Sequence, residues 1–292
     1  MQITTMKRIS VDMFQTYITL SRTQKMSETV TQLDITRQTV RRHIDTLEQT
    51  KGQKLIAVRN HKYELTDAGR KFLPEVEDIV DQTESLLGGY QFKNDVIDGL
   101  NRASYKDDRG HDFHSQQHPL NRLWIDGTSI LQKSFLAWAN SRFQIESPHM
   151  LAIKPYMMIY RKSAGGWICT HIGEKSSYAT WFGWEWAKSG IGQFSSEDPA
   201  GREFDKFATK AYSQLYRHGG VRLDHVFAQI PRKTGGKPEP VSFQKLMFSC
   251  VYPDNQQAIG LIVTRTNNIN ILGLDNEDIP QMTDKLLMEF DI

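Results

Sequence analysis

The sequence has few of the features that mark secreted, membrane-spanning or catalytic proteins. Only two of its 292 residues are cysteines, Cys169 and Cys250, so we expect no disulfide framework and favour a reducing compartment, the cytoplasm. No apolar run approaches the ~20 residues that a membrane-spanning helix needs, and the N-terminus lacks the apolar core of a signal peptide. No Gly-x-Ser-x-Gly, phosphate-binding loop or zinc signature occurs, so we predict that the protein is not an enzyme.

The chain also has little net charge, at +2, and composition alone does not indicate a polyanionic partner. The charge is unevenly distributed, however. Up to Thr66, eleven Lys and Arg residues face six Asp and Glu residues, whereas the stretch from Asp67 to Asp98 is acidic. Only the N-terminal part therefore has the character of a segment that binds nucleic acid.

Two short helices joined by a tight turn are predicted within the basic N-terminal part. The first covers Ser27–Leu33, and the second begins after Thr36, whose hydroxyl can cap a helix. In the second helix the apolar residues Val40, Ile44 and Leu47 are spaced four and three apart, which places them on one buried face. The opposite face carries Arg37, Gln38, Arg41 and Arg42. This arrangement is typical of a helix-turn-helix, although many surface helices also have one charged face.

The residues that follow favour the DNA-binding interpretation. Two short β-like runs, Leu55–Val58 and Lys62–Leu65, flank the basic tip Arg59–His61. A hairpin after a recognition helix forms a wing, and a basic wing tip contacts phosphates.

The stretch from Ile9 to Leu87 resembles the winged helix-turn-helix of LysR-type transcriptional regulators. The matching segments are Ile35–Ile44, Leu47-Glu48, Gly52, Leu55-Ile56 and Leu65–Gly69. The sequence departs from the family pattern at Thr29-Val30, where a pair of alanines is usual, at Arg41, which replaces a serine, and at Val58, which replaces an arginine. We predict that the DNA-contacting residues are Thr36, Arg37, Gln38, Thr39, Arg41 and Arg42 on the helix, and Arg59, His61 and Lys62 on the wing.

A long helix is predicted next, from about Asp67 to Leu87 with Gly88-Gly89 at its end, and the resemblance implies that it pairs two subunits. Its apolar residues recur at intervals of three and four, and such a stripe needs a packing partner. We expect a homodimer, or a tetramer built from two dimers, in which this helix dimerises through Phe72, Val76, Ile79, Val80, Leu86 and Leu87. Packing of the stripe against its own chain is the alternative.

A polar segment, residues 91–119, is interpreted as a hinge. It contains His111, His114 and His118, whose spacing could present imidazoles to a metal ion. The run contains Gly110 and precedes Pro119, and no carboxylate or thiolate constellation with metal-ligand spacing accompanies the histidines, so we predict no metal site.

The remaining residues, 120–292, are predicted to form an α+β regulatory domain. Two strands, several short helices, one longer helix and three further strands follow one another, and the tail from Asp275 to Ile292 is predicted to be an amphipathic helix. This element order resembles a PAS-like sensor domain, as do Phe182-Gly183-Trp184, Ile191-Gly192 and Asp198-Pro199. The resemblance implies a five-stranded antiparallel sheet with helices on one face, in place of the periplasmic-binding-type effector domain usual in LysR-type regulators.

A PAS-like domain holds ligands between its sheet and its short helices. Predicted ligand-binding residues are Trp167, His171, Tyr178, Trp181, Phe182, His225, Phe227 and Cys250. The aromatic residues could equally fill a core, and no cofactor is identified. Two further possibilities stay open, a haem or other chromophore held by His171 or His225 and a redox pair formed by Cys169 and Cys250.

The sequence as a whole predicts a winged helix-turn-helix (residues 1–66), a dimerisation helix (67–90), a hinge (91–119) and a sensor domain (120–292). We expect a ligand-responsive transcription regulator that binds double-stranded DNA, with a small molecule or a redox change as the signal and no membrane partner. In the alternative, the C-terminal domain only dimerises or docks another protein. A fused enzyme is the remaining possibility, but it lacks a recognisable catalytic cluster.

Overall fold

The chain divides into two structural units, residues 1–89 and residues 90–292. The structure is a computed structural model. It describes residues 9–87, 92–97, 99–107, 110–163, 166–198, 201–233, 235–274, 279–288 and 290. None of the helices in these ranges is long and apolar enough to cross a membrane.

The first unit has the predicted order of helix, turn, helix, hairpin and long helix. Its elements are α1 (Val11–Thr23), α2 (Met26–Leu33), α3 (Arg37–Lys51), β1 (Ile56–Arg59), β2 (Lys62–Leu65) and α4 (Asp67–Leu87). Their apolar faces meet in one core, whose fully buried members include Tyr17, Leu20, Val40, Leu55 and Val76. The predicted α+β character with an N-terminal helix-turn-helix and a small hairpin is confirmed.

Helix α4 corrects part of the predicted dimer interface. Phe72, Val76 and Val80 are buried within their own unit, and the ring of Phe72 lies 5.7 Å from that of Tyr17. Their stripe therefore finds its packing partner inside the chain, since α1 lies against it. Ile79 remains 41% exposed, while the side chains of Leu86 and Leu87 are outside the described part of the structure.

The second unit contains eight of the described strands and five of the described α-helices. In chain order they are β3 (Phe92–Ile97), β4 (Leu100–Lys106), β5 (Asp112–His118), α5 (Arg122–Ile125), α6 (Ser129–Asn140), β6 (Met157–Ser163), β7 (Gly166–Ile172), α7 (Ser177–Phe182), α8 (Trp184–Ser189), α9 (Gly201–His218), β8 (Val221–Pro231), β9 (Pro238–Val251) and β10 (Gln257–Arg265). The strands form one antiparallel sheet in the order β3-β4-β5-β8-β9-β10-β6-β7.

Three strands of this sheet, β3 to β5, come from the segment predicted to be a hinge, so the sheet has eight strands among the described residues and not five. Strand β5 pairs with β8, with Phe113 opposite Ala228. Half of the side chains of β4 and β5 are polar and half-buried, but Tyr105 and Phe113 are buried and stack with their ring centroids 5.7 Å apart. The sequence did not reveal these strands, because only a few of their buried side chains are apolar and the alternation of polar and apolar residues is weak.

Helices cover both faces of the sheet, which corrects the prediction of helices on one face. Met157 and Ile159 pack in the cluster that includes α5 and α6, whereas Met158 and Tyr160 pack with α7, α8 and α9. Successive residues of a strand point to opposite faces, so burial on both sides produces a continuous apolar run. Residues 157–160 are such a run, and all four are buried.

The C-terminal tail is not a helix in its described part. Residues 279–288 contain one short 3₁₀ turn, Asp284–Leu286. The tail is held by hydrogen bonds to the sheet end: Asn267 exchanges two bonds with the backbone of Met282, at 2.9 and 3.0 Å. The apolar periodicity predicted a helix, but the tail is held by hydrogen bonds to another part of the unit and not by hydrogen bonds within a helix.

Candidate functional site

The second helix of the motif, α3, begins where the sequence predicts. Asp34 adopts a left-handed conformation (φ 51°) and ends α2. The hydroxyl of Thr36 accepts a hydrogen bond from the Thr39 backbone N–H at 3.1 Å, which satisfies one of the free donors of the first turn. The turn therefore fixes the orientation of α3 relative to α2.

The two faces of α3 differ in the predicted way. Val40, Ile44 and Leu47 are buried in the core. The predicted DNA-contacting residues lie on the outer side, where Thr39 is half-buried and the exposed ones are Thr36, Arg37, Gln38, Arg41 and Arg42. The outer side is thus available to a large ligand such as a duplex.

The wing is a β-hairpin with a two-residue turn and an exposed basic tip. Arg59 pairs with Lys62 across the two strands, and Asn60 and His61 both have positive φ, at 47° and 61°. Two such residues form the turn whose twist matches that of paired strands. Arg59, His61 and Lys62 are exposed, as predicted for a surface that contacts phosphates.

A buried glutamate that the sequence analysis missed joins α3 to the wing. Glu48 is 6% exposed, and its carboxylate accepts hydrogen bonds from the backbone N–H groups of Leu55 at 2.9 Å and Ile56 at 3.1 Å. The ammonium of Lys54 also donates to this carboxylate, at 2.5 Å. Glu48 lies four residues after Ile44, on the apolar face of α3, and a charged residue at such a position was the available signal.

The base of the wing is also held against α1 and α4. The hydroxyl of Tyr17 donates to the carbonyl oxygen of Gly69 at 2.8 Å, and that of Thr66 donates to the carbonyl oxygen of Lys54 at 2.6 Å. A Cβ atom at Gly69 would lie only 2.1 Å from the carbonyl oxygen of Leu55. Glycine is required here because the two backbones touch.

The basic residues of the first unit fall into two groups. Among the described residues, five cations are engaged by carboxylates, namely Arg22, Lys25, Lys51, Lys54 and Arg70. The predicted DNA contacts behave differently: within the described part of the chain, no ion pair involves Arg37, Arg41, Arg42, Arg59 or Lys62. The cations of α3 and the wing tip are therefore left free for an external anion.

The second unit contains a cavity of about 110 Å³ between one sheet face and the helices α7 and α9. Three of the predicted ligand-binding residues line it, namely Tyr178, Trp181 and Phe182. The sequence analysis missed its charged lining residues, which are Lys245, Arg265, Asp198 and Asp205. Lys245 and Arg265 lie in strands with long apolar runs, where a single cation is the signal that could have identified them.

The structure places the other five predicted ligand residues outside this cavity. Phe227 and Cys250 belong to apolar clusters that do not line it, and Trp167 packs edge-on against Tyr212 with their rings 5.5 Å apart. The Nε2 atom of His171 donates to the Lys154 carbonyl oxygen at 3.0 Å.

The fifth residue, His225, forms a buried pair with His118, with ring centroids 4.1 Å apart. Its Nδ1 atom accepts from the Asn270 N–H at 2.9 Å, and burial lowers its pKa to about 3. Cys169 and Cys250 are free and lie in different apolar clusters, one with α7–α9 and one with α5–α6, so the proposed redox pair does not form.

One end of the cavity carries a weak acid. The Tyr178 hydroxyl donates a hydrogen bond to Asp198, and burial raises the pKa of Asp198 to about 7. Burial also raises the pKa of Asp205. A second cavity, of about 300 Å³, shares four lining residues with the first, namely Tyr160, Tyr178, Ser195 and Asp198. The Tyr178–Asp198 pair therefore borders both cavities.

Comparisons with known proteins find similarity to part of this chain. Structures that resemble part of this chain include OxyR from Corynebacterium glutamicum in its oxidized form (27% identity, 28% of this chain, 26% of that chain, TM-score 0.27) and full-length CbnR complexed with its target DNA (20% identity, 27% of each chain, TM-score 0.26). The chain thus spans about a quarter of the length of these proteins. A comparison with curated proteins returned no match. Residues 11–70 match the family described as bacterial regulatory helix-turn-helix protein, lysR family.

Proposed function

We propose that this protein is a LysR-type transcription regulator that binds duplex DNA through α3 and the wing. The proposal depends chiefly on one observation: the cations of α3 and the wing tip are exposed and have no carboxylate partner in the described structure, whereas other cations of the same unit are paired. The lysR-family match at residues 11–70 supports it.

The two basic surfaces would play different parts. Helix α3 would enter the major groove, with Thr36, Arg37, Gln38, Thr39, Arg41 and Arg42 at base edges and neighbouring phosphates. The wing would contact the backbone through Arg59, His61 and Lys62.

We further propose that two copies act together in the cytoplasm, as a dimer or a pair of dimers. A symmetric dimer would present two α3 helices to successive major grooves about one helical turn apart. On α4, Ile79 is an exposed apolar residue that a second copy could cover.

For the second unit we propose a PAS-like sensor function. Two strands (β6 and β7), three helices (α7 to α9) and three strands (β8 to β10) follow in the order that suggested such a domain, and the cavity lies against them. A ligand there would alter the geometry of the dimer and hence the spacing of the two DNA contacts.

A second candidate function is a DNA-binding protein whose C-terminal unit only docks a protein or a second copy. It is favoured by exposed apolar side chains on the second unit: Trp124 is 54% exposed, Ile125 is 70% exposed and Phe143 is 49% exposed. Mass and absorption spectra of an extract of the purified protein discriminate the two functions, because a bound small molecule supports sensing.

Binding of a short mixed-sequence duplex to the full chain, followed by fluorescence anisotropy, tests the DNA-binding proposal. We expect binding at low salt that weakens linearly with the logarithm of salt concentration. The double variant Arg41→Gln and Arg42→Gln should bind about tenfold or more weakly. The matched control, Lys25→Gln and Lys51→Gln, removes the same charge from ion pairs elsewhere in the unit. Equal losses in both double variants, or no binding of the unmodified chain at low salt, would refute the proposal.

A further inference from the structure

The cavity of the second unit has two cationic side chains on its sheet face. Lys245 and Arg265 are each 6% exposed, and both line the cavity. In the pairing of β9 with β10, Lys245 lies opposite Val263 and Phe243 lies opposite Arg265. The two cations are therefore diagonal neighbours on one face, with Cα atoms on the order of 7–8 Å apart.

Neither cation is neutralised by a carboxylate in the described part of the chain. Arg265 donates only to neutral oxygens, namely the Ser177 carbonyl at 2.8 Å, the Ser177 and Thr180 hydroxyls at 3.0 Å and the Leu286 carbonyl at 2.7 Å. Lys245 forms no ion pair there. Its cross-strand neighbour Asp224 is bound by the Arg222 guanidinium at 2.7 Å instead.

Two buried cations that form no ion pair among the described residues are unfavourable. Burying a charge costs free energy unless a partner compensates it. Burial accordingly lowers the pKa of Lys245 to about 8, although Asp224 opposes the shift. An anion entering the cavity would provide the missing partner.

The remaining walls indicate what kind of anion would fit. Around the cations the cavity is aromatic: Tyr160, Trp181, Phe207, Tyr212 and Phe243 line it. Its volume of about 110 Å³ is of the order of a cavity that holds one benzene ring. Such walls bind a planar apolar body and exclude a strongly hydrated inorganic ion.

We propose that this cavity binds a single-ring aromatic carboxylate, with the carboxylate at Lys245 and Arg265 and the ring between α9 and the sheet. The Tyr178–Asp198 pair lies among the other lining residues, where it could take a hydroxyl or similar polar substituent of the ring. This inference rests on the proposed sensor function and names the class of molecule that would be sensed.

Calorimetric titration of the full chain with three probes of equal size tests the inference. Benzoate carries the anion, benzamide is its neutral counterpart and benzylamine carries a cation. We expect benzoate to bind and benzamide to bind about 10–100-fold more weakly, because a charge-assisted hydrogen bond is lost. Benzylamine should not bind.

Variants at Lys245 assign the effect to the cavity. Lys245→Met should reduce benzoate affinity about 10–100-fold and leave benzamide affinity nearly unchanged, while Lys245→Arg should retain most of the benzoate affinity. Lys133→Met, at an exposed position on α6, is the control for the loss of one charge. The circular dichroism spectrum of each variant establishes that it is folded.

The failures are distinguishable. If benzoate does not bind the unmodified chain, or binds Lys245→Met equally well, the inference is wrong. Anisotropy with the mixed-sequence duplex on the same sample reports separately on DNA binding. If an extract of the purified protein contains a small molecule of another class, the sensor function is supported and the aromatic-carboxylate inference is wrong.

Discussion

Arg41 and Lys62 are both exposed cations without an ion-pair partner in the described structure, but their places differ. Arg41 is on the outer face of α3 and Lys62 is on the wing. If Arg41 reads a guanine, Arg41→Ala should cost about 1–3 kcal/mol of binding free energy, and only for sites with that base pair. Binding of a selected site and of single-base variants measures this.

Lys62→Gln should weaken all duplexes alike. Removal of one phosphate contact should also reduce the slope of log affinity against log salt by about one. Salt titrations with selected and random duplexes measure both effects. If Arg41→Ala and Lys62→Gln lose affinity equally on the two kinds of duplex, the division between base and backbone contacts is wrong.

Glu48 is the residue whose loss should most disturb the wing. Glu48→Ala leaves two backbone donors, at Leu55 and Ile56, without their acceptor, and should lower the free energy of unfolding of the first unit by about 2–4 kcal/mol. Glu28→Ala, which breaks only an exposed ion pair with Lys25, should cost about 0–1 kcal/mol. Thermal unfolding and amide exchange of the hairpin measure the difference, and similar effects of the two substitutions would contradict this role.

At the scale of elements, the contact between the start of α4 and the wing depends on a glycine. Gly69→Ala would place a Cβ atom 2.1 Å from a backbone oxygen, and backbone cannot move aside as a flexible side chain can. We expect a loss of about 1–3 kcal/mol in stability and weaker DNA binding, because the wing must shift.

Gly52→Ala provides the comparison for Gly69→Ala. Gly52 has a positive φ of 68° but open space around it, so its substitution should cost about 1 kcal/mol of backbone strain and leave the wing in place. Unfolding curves and duplex binding of the two variants decide between these outcomes. DNA binding by Gly69→Ala that equals the unmodified protein would show that the wing tolerates the displacement.

The outer side of α4 provides a second test at this scale. If two copies pair through this helix, Ile79→Asp should shift the monomer–dimer equilibrium toward monomer by about tenfold or more, since a charge would enter an apolar contact. Sedimentation over a range of protein concentrations measures the shift. Lys71→Asp is the matched control, because Lys71 is an exposed residue at the start of the same helix. An unchanged dimer in Ile79→Asp would place the contact between copies elsewhere.

At the scale of the whole molecule, the cavity should make stability depend on pH. Burial raises the pKa of Asp198 to about 7 from its usual 3.8, so the folded protein holds this proton more tightly than the unfolded chain does. The resulting stabilisation is complete below about pH 4 and is lost as the pH rises through 7.

Asp198→Asn should therefore flatten the stability profile. The variant and the unmodified protein should have similar free energies of unfolding near pH 4. Near pH 7 the unmodified protein should be less stable than the variant by about 4 kcal/mol, because a pKa difference of about 3 units at ~1.4 kcal/mol per unit is then almost fully expressed. Asp205 is retained in both proteins, so its own titration cancels in the comparison. Thermal unfolding over this pH range measures the effect, and parallel profiles would mean that Asp198 is not held in its neutral form.

Local sequence patterns were sufficient for the first unit. Spacing in α3, the Thr36 cap and the basic tip of the wing depend on residues close together in the chain, so the exposed cations could be named in advance. Contacts between distant residues were not predictable in the same way. The burial of Phe72 and Val80 against α1, and the bonds of Glu48 to the wing, are set by packing.

In the second unit the sequence by itself determined most of the strands and the long helix α9, because each has its own periodicity. Only the tertiary structure decided that β3–β5 extend the sheet, that both faces are covered, and that Lys245 and Arg265 meet at the cavity. Strand alternation states which residues share a face, but not what lies opposite that face. The partners of a sheet come from distant parts of the chain, so they are fixed only when the sheet pairs and its two faces are packed.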